Sequence, residues 1–491
     1  MKNRSLVTKS FCAQVLCGFM IAIATLGLAS CGQRYYKFPE FTFANRPIPP
    51  SKLSNRVMVG ITNGTSGSLQ MLDAERDIRS TIFNANTTFP ISGFSAPFPS
   101  MIYNFPEQVT GFVYSTSTTG GTLANVNYSK ESSTPVTGFS SAANAVAIPV
   151  SFNHIYSANQ STGQLVVLDN VANATYPLNL PNVYQVFVNT GDTVVLAMVR
   201  NSNTLYRVVK LNANQPAPAG FVDCQPVNLP VYCVVPVADS PTKPSFDHPT
   251  NAVFSLDGSS VYILNCGIEC SGPNATNPGP GAGVTVLQLG ALTIDINNPP
   301  YPAAVTSSAA IPGGATAAVS DGVNLYVAGQ QLQPDGLYAG RLTLLNLATM
   351  TPGAPISISD GTHTKILFGD DNTLWIGSLL CSSGERQKLG QNYNCLTRYD
   401  LGAGTAQVIP NVTPGGSPTV PFPNANQNLY YYGDLTGLCW IQNLHKMYTA
   451  YGGQIHAFNT ADGSEINNSQ ITVQGTALDV AYMDAITNAA N

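Results

Sequence analysis

The fold is decided by one stretch, His248-Pro-Thr-Asn-Ala-Val-Phe-Ser-Leu-Asp-Gly-Ser-Ser-Val-Tyr-Ile-Leu-Asn265. It reads as an apolar strand over Asn251–Ser255, a tight turn at Leu256-Asp257-Gly258, and a second strand over Val261–Asn265 that carries Tyr262. Branched and aromatic residues suit a pleated, half-buried surface. Asp-Gly supplies the positive φ that a tight hairpin needs. A third apolar run, Val284–Leu289, follows after a loop. Short apolar runs bounded by turn residues, with no helical period, indicate strands.

The same unit recurs along the chain. Ala315–Val319, the turn Ser320-Asp321-Gly322, Leu325–Gly329 and Arg341–Leu347 form the next copy. Lys365–Phe368, the turn Gly369-Asp370-Asp371-Asn372, Leu374–Ser378 and Leu396–Leu401 form another. Leu438–Ile441, Gln442-Asn443-Leu444, Met447–Ala450 and Gln454–Phe458 form the last. Weaker copies place the second strand at Val57–Ile61, Gly111–Ser115, His154–Ala158 and Thr193–Val199. One residue marks that strand in every copy: Met58, Phe112, Tyr156, Val195, Tyr262, Tyr326, Trp375 and Tyr448. Their spacings run from 39 to 73 residues. The shortest match a propeller blade of roughly 40–50 residues, and the longer ones contain insertions. Eight copies predict an all-β propeller of eight blades, with seven as the alternative if one weak copy is false.

The phrases His248–Asn265 and Asp321-Gly-Val-Asn-Leu-Tyr-Val-Ala-Gly329 resemble the YVTN-type β-propeller repeat, a family that is also similar to lactonase-like and NHL propellers. The resemblance covers most of residues 57–484 and is strong over 245–460. It implies a fold and not an activity, because propellers host many functions. It also implies a blade order: the strand before the Asp-Gly turn is innermost (A), the aromatic strand is B, then C, with D outermost. In that order Ala477–Met483 is an A strand lacking a B, and Val57–Ile61 is a B strand lacking an A. Their pairing is expected to close the ring and remove the open sheet edge.

Composition agrees with a turn-rich β chain. The 491 residues include 43 Gly and 35 Pro, and only 10% are charged, against roughly 25% in ordinary soluble domains. Hydrophobic residues are 44%, which excludes disorder driven by low hydrophobicity and high charge. There is no basic excess for phosphate neutralisation, so nucleic acid is not an expected partner.

The first thirty residues read as an address. Lys2, Arg4 and Lys9 precede an apolar run from Phe11 to Leu28, the layout of a secretory signal peptide. The run ends in Leu28-Ala29-Ser30-Cys31, which resembles the lipobox of bacterial lipoproteins. That resemblance implies cleavage before Cys31 and lipidation of its sulfur; the other reading is an uncleaved membrane helix. In the lipoproteins it resembles, Asp after the Cys favours the inner membrane, so Gly32 implies the outer membrane. The expected organisation is a signal peptide over 1–30, a lipidated Cys and tether over 31–55, a propeller over 56–484 and a tail over 485–491. Cleavage removes three basic residues and no acid, leaving 18 basic and 26 acidic residues. The expected place is a bacterial cell envelope, lipid-anchored.

An exported chain can keep disulfides. Sequence proximity suggests Cys224–Cys233, Cys266–Cys270 and Cys381–Cys395, among 15 possible pairings of six cysteines. Cys439 reads as a buried small hydrophobe.

Long connections fall mainly between B and C (266–282, 329–340, 379–394) and between D and A (238–250, 411–434). These emerge on one face of a propeller, and one-sided insertions mark a binding face. The 411–434 loop carries Tyr430, Tyr431 and Tyr432, which suit either a contact surface or packing on their own blade. Residues just before an A strand sit at the channel mouth on that face: Asn144, Asn182, His248, His363, Asp434 and Thr476. His248, His363 and Asp434 are candidates for a polar ligand. They also read as ordinary repeat punctuation, being few for a metal site, and no metal or cofactor is expected. Enzyme signatures such as Gly-x-Ser-x-Gly or His-Glu-x-x-His are absent. The expected function is capture of an envelope protein or glycan through the loop-rich face. The alternative is a metal-assisted, lactonase-like hydrolase at the channel mouth.

Overall fold

Met58, Phe112, Tyr156, Val195, Tyr262, Tyr326, Trp375 and Tyr448 are all buried, and each lies in a different sheet. A computed structural model describes residues 49–53, 55–79, 91–92, 94, 96–139, 142–239, 244–271, 279–294, 304–381, 394–410, 432–466 and 471–488. Within them are eight antiparallel sheets, the blades of an eight-bladed β-propeller.

Blade one runs, from inside out, Thr476–Tyr482, Arg56–Thr62, Gly67–Asp73 and Ile78–Arg79. Its innermost strand comes from the end of the chain and the other three from the beginning. Val57 faces Tyr482 and Val59 faces Val480 across the closing ladder. Blade two is Phe98–Phe105, Thr110–Thr116, Gly121–Asn127 and Ser132–Pro135; blade three is Ala145–Ala147, His154–Asn159, Gln164–Asp169 and Ala174–Asn179. Blade four has Val183–Val188, Val195–Val199, Leu205–Lys210 and Tyr232–Pro236, with an extra strand, Asp223–Gln225, outside the last. Blade five is Pro249–Phe254, Ser260–Asn265, Gly283–Gln288 and Val305–Ala310. Blade six starts Gly314–Ser320, Asn324–Leu332 and Tyr338–Asn346 and ends in two short outer pieces, Thr351–Pro352 and Ile356–Ser357. Blade seven is Thr362–Gly369, Thr373–Leu379, Leu396–Asp400 and Thr405–Ile409; blade eight is Leu435–Ile441, Lys446–Tyr451 and Gln454–Asn459.

The core lies between blades. Val57, Val59 and Val480 of blade one pack with Cys439, Tyr448 and Ala457 of blade eight in one cluster. Tyr156 and Val167 of blade three pack with Val186, Val195 and Val208 of blade four in another. Side chains alternate between the two faces of a strand, so each blade feeds two such clusters. A C-strand arginine adds a polar strap in two places. Arg207 donates to the Ala291 carbonyl of blade five at 2.7 Å, and Arg398 donates to the Thr460 carbonyl of blade eight at 2.8 Å.

Two connections differ from expectation. Residues 329–340 are mostly not a loop: the B and C strands of blade six run on as a ladder to Leu332 opposite Tyr338, leaving a short turn. In blade four the chain leaves the C strand, forms Asp223–Gln225 and returns to D. Cys224 and Cys233 are direct cross-strand partners there and are disulfide-bonded. Cys266–Cys270 and Cys381–Cys395 are bonded as well, and Cys439 is free and buried.

The ends of the chain meet on the face that carries the A–B and C–D turns, here the turn face. Arg56 donates to Asp484 at 2.6 Å and to the Tyr128 carbonyl at 2.7 Å, both buried, and to the part-buried Glu131 at 2.8 Å. Ser51 donates its backbone N–H to the same Glu131 at 2.8 Å. The last described residues are seated too: Gln442 accepts from the Ile486 N–H at 2.5 Å, and Asn488 donates to Gln108 at 3.1 Å.

Candidate functional site

On the opposite, loop-rich face the inner strands begin with a repeated device. The residue entering the strand takes positive φ: Asn182, His248, Gly313, Gly361, Gly433 and Gly475. Four of these are glycine, which reaches that region freely. His248, at φ 51°, takes the place of a glycine, so the punctuation reading of His248 describes its backbone.

A β-bulge follows almost at once. The A–B register slips between Val183 and Gln185, Pro249 and Asn251, Ala315 and Ala317, His363 and Lys365, and Leu435 and Gly437. The extra residues are Tyr184, Thr250, Thr316, Thr364 and Thr436. A bulge leaves one residue outside the ladder and re-aims its side chain. Three of the threonine hydroxyls donate to a B-strand carbonyl of their own blade: Thr250 to Leu264 at 3.3 Å, Thr316 to Ala328 at 3.4 Å and Thr436 to Ala450 at 3.3 Å. Thr250 also reaches the Ala315 carbonyl of blade six at 2.6 Å. Sequence reading missed this set, although a Thr stands early in the inner strand of all four best copies.

Bulge residues of blades four to seven wall a cavity of about 380 Å³ at the channel mouth. His248, just before its A strand, and His363, the second residue of its own, both line it. Their rings are held differently. His248 Nδ1 lies 2.6 Å from Asp247 Oδ1, and the side chain is 12% exposed. Asp247 also accepts the Gly281 N–H at 2.9 Å. His363 is buried; its Nε2 lies 2.8 Å from the Ser359 carbonyl, and Nδ1 has no partner among the described residues. Burial pulls its pKa down to about 4, the Ser359 contact opposing only in part. It is therefore neutral at pH 7.

Asp434 does not join them. It accepts the Leu380 N–H at 2.8 Å and ties the start of blade eight to the B–C connection of blade seven. Tyr432 is not a contact residue either: it is 1% exposed, donates to Glu465 at 2.6 Å and stacks on His456 at 4.3 Å. A hydroxyl with a buried carboxylate in reach satisfies both groups inside the blade. Tyr430, Tyr431, most of the 411–434 loop, Cys31 and the rest of 1–48 lie outside the described residues. Among the described residues, no group of three or more His, Cys, Asp or Glu side chains is arranged to hold a metal ion.

Deeper in the channel wall, Lys365 of blade seven reaches Asp479 of blade one at 3.2 Å. Asp479 also accepts the Ile102 N–H of blade two at 2.8 Å. Burial lifts its carboxyl above the ordinary range, while Lys365 and backbone N–H groups pull it back. Gly437 lies between: a Cβ there would stand 2.7 Å from the Asp479 carboxylate.

The fold and this mouth define a β-propeller with a polar central cavity. No protein-family profile matches the chain, and no curated protein does. Solved structures do. Dihydro-heme d1 dehydrogenase NirN is 12% identical, covers 92% of this chain and 79% of its own, with a TM-score of 0.55. A putative 6-phosphogluconolactonase from Bacteroides fragilis is 11% identical over 87% of this chain and 98% of its own, at 0.41. AztD from Citrobacter koseri is 10% identical over 87% and 97%, at 0.46. At such identities the likeness is one of fold alone.

Proposed function

We propose that this chain is a lipid-anchored protein of a bacterial envelope, held in the outer membrane through Cys31, whose propeller captures a protein or glycan partner on its loop-rich face. The observation that carries the reading is the cavity on that face, walled by the bulge residues of four blades; exposed apolar side chains occur on both faces. The cavity opens there, and blades five, six and seven each expose one large apolar side chain at that end: Ile268 (57%), Leu332 (51%), the last residue of its B strand, and Leu380 (59%). Apolar contacts around a polar centre suit a recognition surface. Two disulfides, Cys266–Cys270 and Cys381–Cys395, lie in the B–C connections of blades five and seven and reduce the ordering cost of binding.

The orientation supports the reading. The N-terminal segment joins the domain on the turn face, where Ser51 meets Glu131. A tether joining there enters the propeller on the side opposite the cavity, which would leave the loop-rich face open to a partner. For the hydrolase alternative, no group of three or more His, Cys, Asp or Glu side chains among the described residues is arranged to hold a metal ion.

Two measurements test this. Radiolabelled palmitate is expected in the wild type and absent from Cys31→Ala; label retained in the variant refutes the anchor. A photo-crosslinker at Leu332 is expected to trap the partner in intact cells, and one at Val171, on the turn face, is not. Trapping from Val171 alone refutes the face.

A further inference from the structure

One wall of the channel-mouth cavity carries a charge that the protein leaves unanswered. Arg200, at the end of the B strand of blade four, lines the cavity with its side chain exposed. Its guanidinium lies 4.4 Å from the ring centroid of Tyr184. No carboxylate partners it among the described residues. Tyr184 is the bulge residue of its blade, and its hydroxyl donates to the Pro249 carbonyl of blade five at 2.7 Å. That bond fixes the ring, and the fixed ring holds the cation over it. A guanidinium stacked on an aromatic face keeps its edge N–H donors for another group.

The rest of the lining fits the same picture. It contains no Asp or Glu among the described residues. Two acids adjoin lining residues in sequence: Asp247, buried and bonded to His248 Nδ1 and the Gly281 N–H, and Glu269, half-buried beside Cys270, whose carboxyl is raised above the ordinary range by burial. His248 Nε2, the other ring nitrogen, has no protein partner among the described residues. Thr362 and Thr364 expose hydroxyl-bearing side chains on the blade-seven side. One preorganised cation, a ring nitrogen and several hydroxyls, with no acid among the described lining residues and the adjoining Glu269 raised by burial, form a receptor for a polyol bearing an oxyanion.

We propose that this cavity binds an anionic sugar, with Arg200 pairing to its carboxylate or phosphate. The inference rests on the channel-mouth reading of the proposed function and adds the charge of the ligand to it. A bidentate Arg–oxyanion pair inside a partly enclosed cavity is stronger than an exposed one, and its affinity falls with salt.

Titration calorimetry on the mature chain tests it with three probes: oligogalacturonate, its methyl-esterified form, and mannose 6-phosphate. The first and third distinguish a carboxylate from a phosphate source. The wild type is expected to bind at least one of those two. The bound probe should weaken with added salt and weaken at least tenfold in Arg200→Ala. Arg200→Lys should recover part of the loss, keeping charge without the fork. Esterified oligomer should bind at least tenfold more weakly than the acid if the carboxylate is the ligand group. A second variant, Thr364→Trp, fills the cavity from an exposed position and should abolish binding with an unchanged melting temperature. No binding of either anion by the wild type, or equal binding by Arg200→Ala, overturns the inference. If Arg200→Ala binds normally and Thr364→Trp does not, the charge is wrong and the cavity stands. If both bind normally, the cavity reading falls as well.

Discussion

His363 shows how burial sets the state of a single side chain. Its ring is enclosed, one nitrogen meets a carbonyl, and its pKa lies at about 4 against an ordinary 6.5. The unfolded chain therefore binds a proton more readily than the folded one between those values. Stability contributed by the neutral ring is complete above pH 6.5 and is lost as pH falls toward 4. The shift corresponds to about 3 kcal/mol. Urea melts of the wild type and His363→Gln at pH 7 and pH 4.5 check this. The wild type should lose more stability than the variant over that interval, and equal losses would contradict the burial account. The neighbouring residues explain why the site was only partly legible. A His before a Pro reads as a turn, and His248 does occupy a turn backbone. That its ring and that of His363 share one cavity depends on bulges that periodicity does not report. Tyr432, open in sequence between contact and packing, is resolved as packing by the buried Glu465 beside it.

At the scale of elements, every B strand was legible, because an apolar run between turn residues has one cheap backbone solution. The extra strand of blade four was not, since Asp223-Cys224-Gln225 is too short and polar to carry a period; its signal was the cysteine pair. The hairpin extension of blade six was hidden for a different reason. Its ladder holds Gly329, Gln330, Gln331 and Gly340, which read as loop residues. Gly329 is there because the blade is tight. A Cβ at that position would lie 1.4 Å from the Gly314 carbonyl oxygen at the start of the inner strand. Gly329→Ala is expected to cost about 2–3 kcal/mol, since a backbone and not a flexible side chain must move. Chemical denaturation measures it, and a loss under about 0.5 kcal/mol, the scale of an ordinary surface change, would show that the strands have room to separate.

At the scale of the whole molecule, closure depends on both ends of the chain. The pairing of Arg56–Thr62 with Thr476–Tyr482 was legible because each end carried half a blade. The clamp of Arg56 on Asp484 and Glu131 was not, as its members lie 428 and 75 residues away in sequence. The clamp has a functional consequence: it fixes the entry of the N-terminal segment to the turn face. The cavity, Arg200 and the exposed Ile268, Leu332 and Leu380 all belong to the other face. On the proposed function, attachment would fall on one face and recognition on the other. Site-specific photo-crosslinking in intact cells tests it most directly, with probes at Ile268, Leu332 and Leu380 on one face and at Val171, Leu256 and Val323 on the other. The account predicts that one partner is trapped from the first three positions and not from the second three. Trapping of that partner from Val171, Leu256 and Val323, with none from the loop-rich face, would contradict it.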